Sequence, residues 1–167
     1  MTDAEVEEYR LAMSRMISGV CVVSARSGSV DLAMTATSVV SVSLEPPTVL
    51  FCVHSDARLA EVVESGGDWA VSILGAEAAA AADWLASPGR PAVGQLDRID
   101  FHRGSRTGAA LLDQAAAWVE CRTEWTKEAG SHTVVVGQVL GTSVAPAGGL
   151  GAAGGIVHHH GRMRPLR

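Results

Sequence analysis

The chain has 167 residues, enough for one compact domain and too few for two of ordinary size. Hydrophobic residues make up 47% of it and charged residues 19%, which excludes an intrinsically disordered protein. Its 13 basic and 18 acidic residues give a net charge of −5, opposite in sign to the excess typical of nonspecific nucleic-acid binding. No apolar run approaches the roughly 18 residues of a membrane span, and the acidic N-terminus does not resemble a signal peptide. We therefore expect a single cytoplasmic domain over residues 1–167.

The hydrophobic pattern predicts three helices and about seven strands. The first element is an amphipathic helix over 3–18, with Asp3 as its N-cap. Two further helices are expected, one from an N-cap at Ser55 to about residue 65 and an alanine-rich one over 76–86. The apolar runs that predict strands are 20–25, 30–38, 48–53, 69–74, 115–127, 132–144 and 156–159.

The connections between these segments indicate the fold class. Tight turns at 27–29 and 129–131 join neighbouring strands as hairpins, whereas the prolines at 46–47 are expected to prevent regular pairing there. Most of segment 88–108 reads as irregular, and 146–155 reads as an Ala/Gly loop. Strands in hairpin succession with helices inserted between them predict a mainly β fold, an antiparallel barrel with peripheral helices.

The three cysteines, Cys21, Cys52 and Cys121, lie in apolar strand-like runs, and no two form a Cys-x-x-Cys pair. An odd number in such positions indicates neither a disulfide framework nor a cysteine-ligated zinc site. Small buried hydrophobic side chains in a reducing compartment are the simpler interpretation.

Two motif matches are rejected on their context. Residues 149–154 match the dinucleotide fingerprint Gly-x-Gly-x-x-Gly, but only 13 residues follow and none is acidic, so no helix and ribose-binding carboxylate can complete the site. Histidines 158–160 would point to alternating faces of a strand, so at most two could reach one metal ion, and we predict no metal site. The chain also lacks the Gly-x-Ser-x-Gly elbow of a hydrolase.

The segment 33–47 concentrates small hydroxyl side chains between two apolar strands. They are Thr35, Thr37, Ser38, Ser41 and Ser43. Small side chains let a flat ligand approach the backbone, and hydroxyls with amide N–H groups suit a polar heterocycle or a phosphate. Serine and threonine are also ordinary turn and edge-strand residues, and composition alone favours that reading.

Several short motifs then occur in an order typical of one family. They are Gly19-Val20-Cys21-Val22-Val23, Met34-Thr35-Ala36-Thr37-Ser38, Ser41-Val42-Ser43-Leu44-Glu45-Pro46-Pro47, Trp69-Ala70-Val71-Ser72, Leu111-Leu112-Asp113, Ala117-Trp118-Val119-Glu120-Cys121, Gly130-Ser131-His132 and His160-Gly161-Arg162-Met163-Arg164-Pro165-Leu166. Over roughly residues 9–166 this order resembles the flavin reductase family of the flavin-binding split-barrel fold. These are small NAD(P)H:flavin oxidoreductases that supply reduced flavin to separate monooxygenases.

The resemblance implies FMN or FAD as prosthetic group or substrate, and NADH or NADPH as hydride donor. It implies that His132 faces the nicotinamide as the catalytic residue, that Ser55 and Arg58 hold phosphate, and that Arg162 meets the pyridine nucleotide. The residues that it implies for cofactor binding are Thr35, Ala36, Thr37, Ser38, Ser41, Val42, Cys52, Val53, His54, Ser55, Arg58, Ser72, His160, Arg162 and Met163.

Some positions depart from the family pattern. Thr37 and Ser72 stand where the family commonly has other hydrogen-bonding residues, Ser131 replaces an aspartate and Met163 replaces an aromatic residue. The last two changes bear on nicotinamide binding, so the choice between NADH and NADPH stays open.

The resemblance also implies partners: a second copy of the chain in a homodimer, and a flavin-dependent monooxygenase or halogenase that receives the reduced flavin. Two alternatives remain at this point. One is an enzyme similar to pyridoxamine-phosphate oxidase, and the other is a non-enzymatic flavin- or haem-binding module.

Overall fold

The computed structural model describes residues 2–91 and 93–166. These residues form three α-helices, α1 (Asp3–Ser14), α2 (Arg58–Glu64) and α3 (Ala79–Ala86), and a 3-10 turn at Ala76–Ala78 leads into α3. The three predicted helices are therefore present, although their ends differ from the prediction. No helix in the described part of the chain is both long and apolar enough to cross a membrane.

The ends of α1 correct two expectations. Its N-cap is Thr2 and not Asp3, because the Thr2 hydroxyl accepts the Glu5 amide while the Glu5 carboxylate accepts the Thr2 amide. The helix stops at Ser14 rather than at residue 18, because residues 18–19 form a short strand that pairs near the C-terminus.

The described residues contain twelve strands, several of them short. They are β1 (Ser18–Gly19), β2 (Cys21–Ser27), β3 (Val30–Ala36), β4 (Val40–Leu44), β5 (Pro47–His54), β6 (Asp68–Leu74), β7 (Phe101–Arg103), β8 (Ala110–Leu112), β9 (Ala115–Ala129), β10 (His132–Val144), β11 (Gly155–His159) and β12 (Arg162–Leu166). Strands hold 49% of the chain and helices 18%, so the prediction of a mainly β fold is confirmed.

The largest sheet has seven strands in the order β3-β2-β6-β9-β10-β5-β4, and every pairing in it is antiparallel. Hairpins supply the neighbours β2–β3 and β9–β10, as the turn residues predict, and a third hairpin joins β4 to β5. Smaller sheets, β1-β11-β12 and β7-β8, complete the pairing. Among the described residues the hydrogen-bonded order ends at β3 and β4, and the sheet is antiparallel without a closed ring of strands.

Five of the twelve strands were not predicted from the sequence: β1, β4, β7, β8 and β12. The hydroxyl-rich segment forms β4, and its Leu44 pairs with Pro47, so the expectation that the prolines prevent pairing there is wrong. Pro47 opens β5, where a strand tolerates a residue without an N–H. The segment 88–108 contains β7, and β12 was missed because its residues are mostly exposed and include a proline.

Two of the three core clusters in the described part of the chain lie on opposite faces of β2. Val23 belongs to the cluster that includes Phe51 and Trp69, whose rings meet edge to face with centroids 4.7 Å apart. Val22 faces the other cluster and packs with Leu85 of α3. Burial on both faces explains the unbroken apolar run in this strand, and each such valine stabilises the fold by roughly 1.5–3 kcal/mol.

Candidate functional site

Thr35, near the end of β3, lies where two surface clefts meet. Its hydroxyl donates to the Ala82 carbonyl oxygen at 2.6 Å and so holds α3 against β3. Ala86, at the end of the same helix, also lines both clefts. The contact between strand and helix therefore positions the walls of both clefts, and the Thr35 hydroxyl hydrogen is already used in making it.

The first cleft has a volume of about 570 Å³ and joins the end of β3 to the C-terminal hairpin β11–β12. It is lined by Thr35, Thr37, Asp83, Ala86, His158, Gly161, Arg162 and Met163. The antiparallel pairing of His158 with Met163 carries these residues to the cleft. Four residues that the family resemblance implied, Thr35, Thr37, Arg162 and Met163, meet here although more than 120 positions separate the two pairs.

The second cleft, of about 580 Å³, lies between β3, the segment after β5 and the segment after α3. Among the implied residues it brings His54 and Arg58 to the same space as Thr35. Its volume, like that of the first cleft, is in the range of ordinary ligand sites. Asp56 and Arg90 also line it, so the lining contains two arginines and one carboxylate.

Arg90 is a site residue that the sequence analysis missed, because it falls in a segment without a recognisable pattern. One terminal nitrogen donates to the Ser87 carbonyl oxygen at 2.5 Å and the other to the Ala33 carbonyl oxygen at 3.3 Å. Its Nε is buried and contacts no acceptor within the described residues. Burial lowers the pKa of Arg90, and a guanidinium with an unused buried donor is suited to receive an anion.

The segment after β5 corrects the role expected of Ser55. The N-cap of α2 is Ala57, and no side chain caps this helix. The Ser55 amide donates to the Ser131 carbonyl oxygen at 3.0 Å, the Asp56 amide to Nδ1 of His54 at 3.2 Å, and the Ala57 amide to the His54 carbonyl oxygen at 2.9 Å. All three amides thus have protein acceptors, and the exposed Arg58 is the cation that this segment offers to a phosphate.

His54 and His132 lie side by side across the pairing of β5 with β10. Their rings meet edge to face with centroids 5.2 Å apart, and both side chains are exposed. Nδ1 of His132 lies 3.0 Å from the Ser131 hydroxyl. Because Nδ1 of His54 accepts the Asp56 amide, a neutral His54 carries its proton on Nε2. The predicted catalytic histidine therefore has a histidine neighbour that the structure ties to the second cleft.

Other residues that the resemblance implied line neither of the two clefts. Ser38 accepts the Cys52 amide at 3.0 Å and lies 3.3 Å from the Cys52 carbonyl oxygen, which fixes the chain entering β4. Ala36 and Val53 are buried, so their side chains pack in the core. Ser41 and Val42, in contrast, are exposed on the edge strand β4.

Ser72 and His160 lie elsewhere than the resemblance implies. Ser72 is completely buried, and its hydroxyl accepts the Leu112 amide at 3.1 Å, so its side chain offers no surface to a cofactor. The His160 amide donates to the Ser14 carbonyl oxygen at 2.8 Å, and its ring lies 3.4 Å from Arg15. Local desolvation and neighbouring cationic groups lower the pKa of His160. It holds the C-terminal turn against the end of α1.

The two buried cysteines, Cys21 and Cys121, are not reactive thiolates. Burial raises the pKa of Cys21 to about 11 and that of Cys121 to about 12, so both are neutral thiols near pH 7. Within residues 2–91 and 93–166, no three His, Cys, Asp or Glu side chains are grouped so that they could hold a metal ion.

A third cleft, of about 640 Å³, lies on another face of α3 and is lined in part by Trp84 and Ile99. It contains none of the implied residues. The two clefts that share Thr35 combine hydroxyls, histidines and guanidinium groups, and we take them as the candidate site.

Comparisons with known proteins place the chain in a family. The family model of the flavin reductase like domain matches residues 13–167. The chain is 37% identical over 161 residues to the NADH-dependent FMN reductase of Streptomyces nodosus subsp. asukaensis, which covers 96% of this chain and 84% of that protein.

Solved structures show the same similarity. The flavin reductase component of a bacterial two-component tryptophan halogenase superposes with a TM-score of 0.86 at 36% identity, covering 96% of this chain and 98% of the other. An NADH:FAD oxidoreductase of Streptomyces globisporus, solved with NAD and FAD fragments, gives a TM-score of 0.87 at 33% identity and covers 100% and 96% of the two chains.

Proposed function

We propose that this chain, which belongs to the flavin reductase like domain family, uses its two adjoining clefts to reduce FMN or FAD with NADH. Its relatives are NADH-dependent FMN and FAD reductases, and the enzyme is an oxidoreductase of that kind. The observation that carries the assignment of the site is the meeting of Thr37, Arg162 and Met163 in one cleft and of Arg58 and Arg90 in the next.

The residues present fit a flavin nucleotide. The first cleft offers the exposed Thr37 hydroxyl beside the thioether of Met163, which suits a flat ring with polar edges. The second offers Arg58 and Arg90, and the buried free Nε of Arg90 is a donor of the kind that a phosphate satisfies. We assign the ring to the first cleft and the phosphate to the second.

The protein has to orient the reactants and needs no nucleophile. When bound, the flavin supplies the acceptor for the hydride that the nicotinamide donates. His132 orients the nicotinamide through a hydrogen bond from its ring, and Arg162 binds a phosphate of the pyridine nucleotide. Because alignment governs such a transfer, these residues act on the rate of reduction more than on flavin affinity.

The proposal extends to the assembly. We infer that the open sheet belongs to a split barrel, that two copies of the chain share the flavin sites, and that a flavin-dependent monooxygenase or halogenase uses the product. The antiparallel strand order and the similarity to reductase components of two-component systems support these statements. Exposed apolar residues on β4 support the second, since Val40, Val42 and Leu44 are all at least 49% exposed.

The deciding experiment measures NADH and NADPH oxidation by the purified protein with FMN, with FAD and without flavin. We expect rapid oxidation of NADH that depends on added flavin. In parallel, Thr37→Leu should weaken binding of oxidised flavin at least fivefold by filling the first cleft, whereas Thr142→Leu, on the exposed part of β10, should not.

Two outcomes would contradict the proposal. Flavin binding without oxidation of either nucleotide would favour a non-enzymatic flavin-binding module, a reading that Ser131 and Met163 in place of the family's usual residues would explain. Equal flavin affinity in the parent, Thr37→Leu and Thr142→Leu would show that the flavin ring does not bind in the first cleft.

A further inference from the structure

A chain of side-chain hydrogen bonds, centred on the buried Thr133, connects α2 to both segments that carry the candidate histidines. The Thr133 hydroxyl donates to Oε1 of Glu64 at 2.7 Å, and the Ser55 and Thr133 hydroxyl oxygens lie 3.2 Å apart. Thr133 is 1% exposed, whereas Glu64 lies at the exposed end of α2. Three residues separated by up to 78 positions thus form one relay.

Proton counting fixes the direction of this relay. An ionised carboxylate only accepts, so the single hydroxyl hydrogen of Thr133 is used on Glu64. The hydrogen between the two hydroxyls must then come from Ser55, and the order of donation is Ser55 to Thr133 to Glu64. Ser55 therefore has neither its hydroxyl hydrogen nor its amide hydrogen free, because the amide donates to Ser131.

The relay joins two loops that the proposed function assigns to different molecules. Ser55 lies between His54 and Arg58 in the segment that lines the phosphate cleft. Thr133 follows His132, the residue that orients the nicotinamide. The Ser55–Ser131 backbone bond and the Ser55–Thr133 hydroxyl bond hold the two loops together at two points.

We infer that Thr133 and Glu64 are positioning residues for flavin reduction. They fix the segment 54–58, which lines the phosphate cleft, relative to His132, which orients the nicotinamide. The inference rests on the proposed function for the identity of the two ligands. It reassigns Ser55 from a phosphate donor to the first member of the relay. Neither Thr133 nor Glu64 has to touch a ligand for this role.

The test replaces the central hydroxyl. Thr133→Val keeps the shape of the side chain and removes the relay, Thr133→Ser restores the hydroxyl, and Thr142→Val makes the same change on the exposed part of β10. The first readout is hydrogen exchange of the Ser55 amide in the flavin-free protein. We expect exchange about tenfold faster in Thr133→Val, near-parent exchange in Thr133→Ser, and no change in Thr142→Val.

The second readout is binding and turnover. In Thr133→Val we expect oxidised flavin to bind 3- to 10-fold more weakly and kcat/KM for NADH to fall about tenfold, with Thr133→Ser within twofold of the parent. Glu64→Ala gives an independent variant should Thr133→Val fail to fold, and Glu61→Ala on the exposed face of the same helix is its control. In Glu64→Ala we expect the same three changes, each about threefold where Thr133→Val gives about tenfold.

The outcomes separate the two proposals. If the parent protein reduces flavin but Thr133→Val and Glu64→Ala match it in Ser55 exchange, flavin affinity and turnover, the relay has no positioning role. If these variants only melt at a lower temperature and all three readouts are unchanged, the hydrogen bonds of Thr133 contribute to stability alone. If the parent does not reduce flavin, the proposed function fails, while the exchange of the Ser55 amide still tests the relay.

Discussion

The hydroxyl side chains near the first cleft have different roles, and the hydrogen bonds that they make distinguish these roles. The Thr35 hydroxyl hydrogen is used on the Ala82 carbonyl, and Ser38 binds the backbone of Cys52. Thr37 is exposed at the first cleft. Of these three residues, Thr37 is therefore the one that can present its hydroxyl to a ligand, and the other two shape the walls around it.

His132 carries the sharpest prediction at the residue scale. We expect His132→Ala to bind oxidised flavin within about threefold of the parent and to lower kcat/KM for NADH by roughly 5- to 100-fold, because one orienting hydrogen bond contributes about 1–3 kcal/mol. Stopped-flow reduction at saturating flavin measures the change directly. The effect should fall at the lower end of this range, because Ser131 gives the ring a hydroxyl neighbour 3.0 Å away and not a carboxylate.

The control for this variant is His102→Ala. His102 lies on β7, where its ring pairs with Asp113 at 2.7 Å, and it lines neither of the two clefts. A His132→Ala protein that reduces flavin as fast as His102→Ala and the parent would show that His132 is an ordinary turn residue.

At the scale of elements, the Ala/Gly loop before β11 shows why a fingerprint match can arise without a nucleotide. Gly151 has φ of +79°, and a Cβ added there would overlap the Ala115 carbonyl oxygen. A Cβ on Gly75 would in turn lie 2.5 Å from the Gly151 carbonyl oxygen. The loop crosses the start of β9 too closely for any side chain, so packing explains its central glycine.

This packing predicts different costs for two glycines of the same loop. Gly148 has φ of +78° with nothing near its Cβ position, so Gly148→Ala should cost about 1 kcal/mol for the left-handed conformation alone. Gly151→Ala adds the overlap with β9 and should cost roughly 3 kcal/mol. Thermal unfolding should then separate the two variants by roughly 4–8 °C. Equal melting temperatures would show that the loop moves away at no cost.

The strands differ in how well they could be predicted from the sequence. Strands such as β2 and β10 were predictable because long apolar runs report burial directly. The edge strand β4 was missed although its apolar residues alternate with serines, because its hydroxyl-rich composition is also typical of turns and its pairing depends on β5. The site was predictable in part through local motifs. Arg90 and the Glu64–Thr133 pair were missed because long-range contacts define them.

At the scale of the whole molecule, α1 and β4 each present three large apolar side chains to solvent. α1 has no buried residue, and its Tyr9 and Leu11 are 60% and 57% exposed. On β4, Leu44 is 86% exposed at the edge of the seven-stranded sheet. An edge strand with apolar side chains and unpaired backbone groups is a surface that proteins usually cover. A second copy of the chain is the partner that the proposed shared site requires.

Dimerisation through this surface makes a prediction that links mass to activity. Light scattering should give a mass about twice 17.3 kDa for the parent. Leu44→Lys places a charge on the edge of β4 and should shift the mass towards one chain, while Leu150→Lys, at a similarly exposed position in the Ala/Gly loop, should leave the dimer intact. If the two copies share the flavin site, the Leu44→Lys monomer should also lose at least tenfold in flavin affinity, because half of each site departs with the partner. A monomeric Leu44→Lys protein that reduces flavin at the full rate would show that each chain carries a complete site.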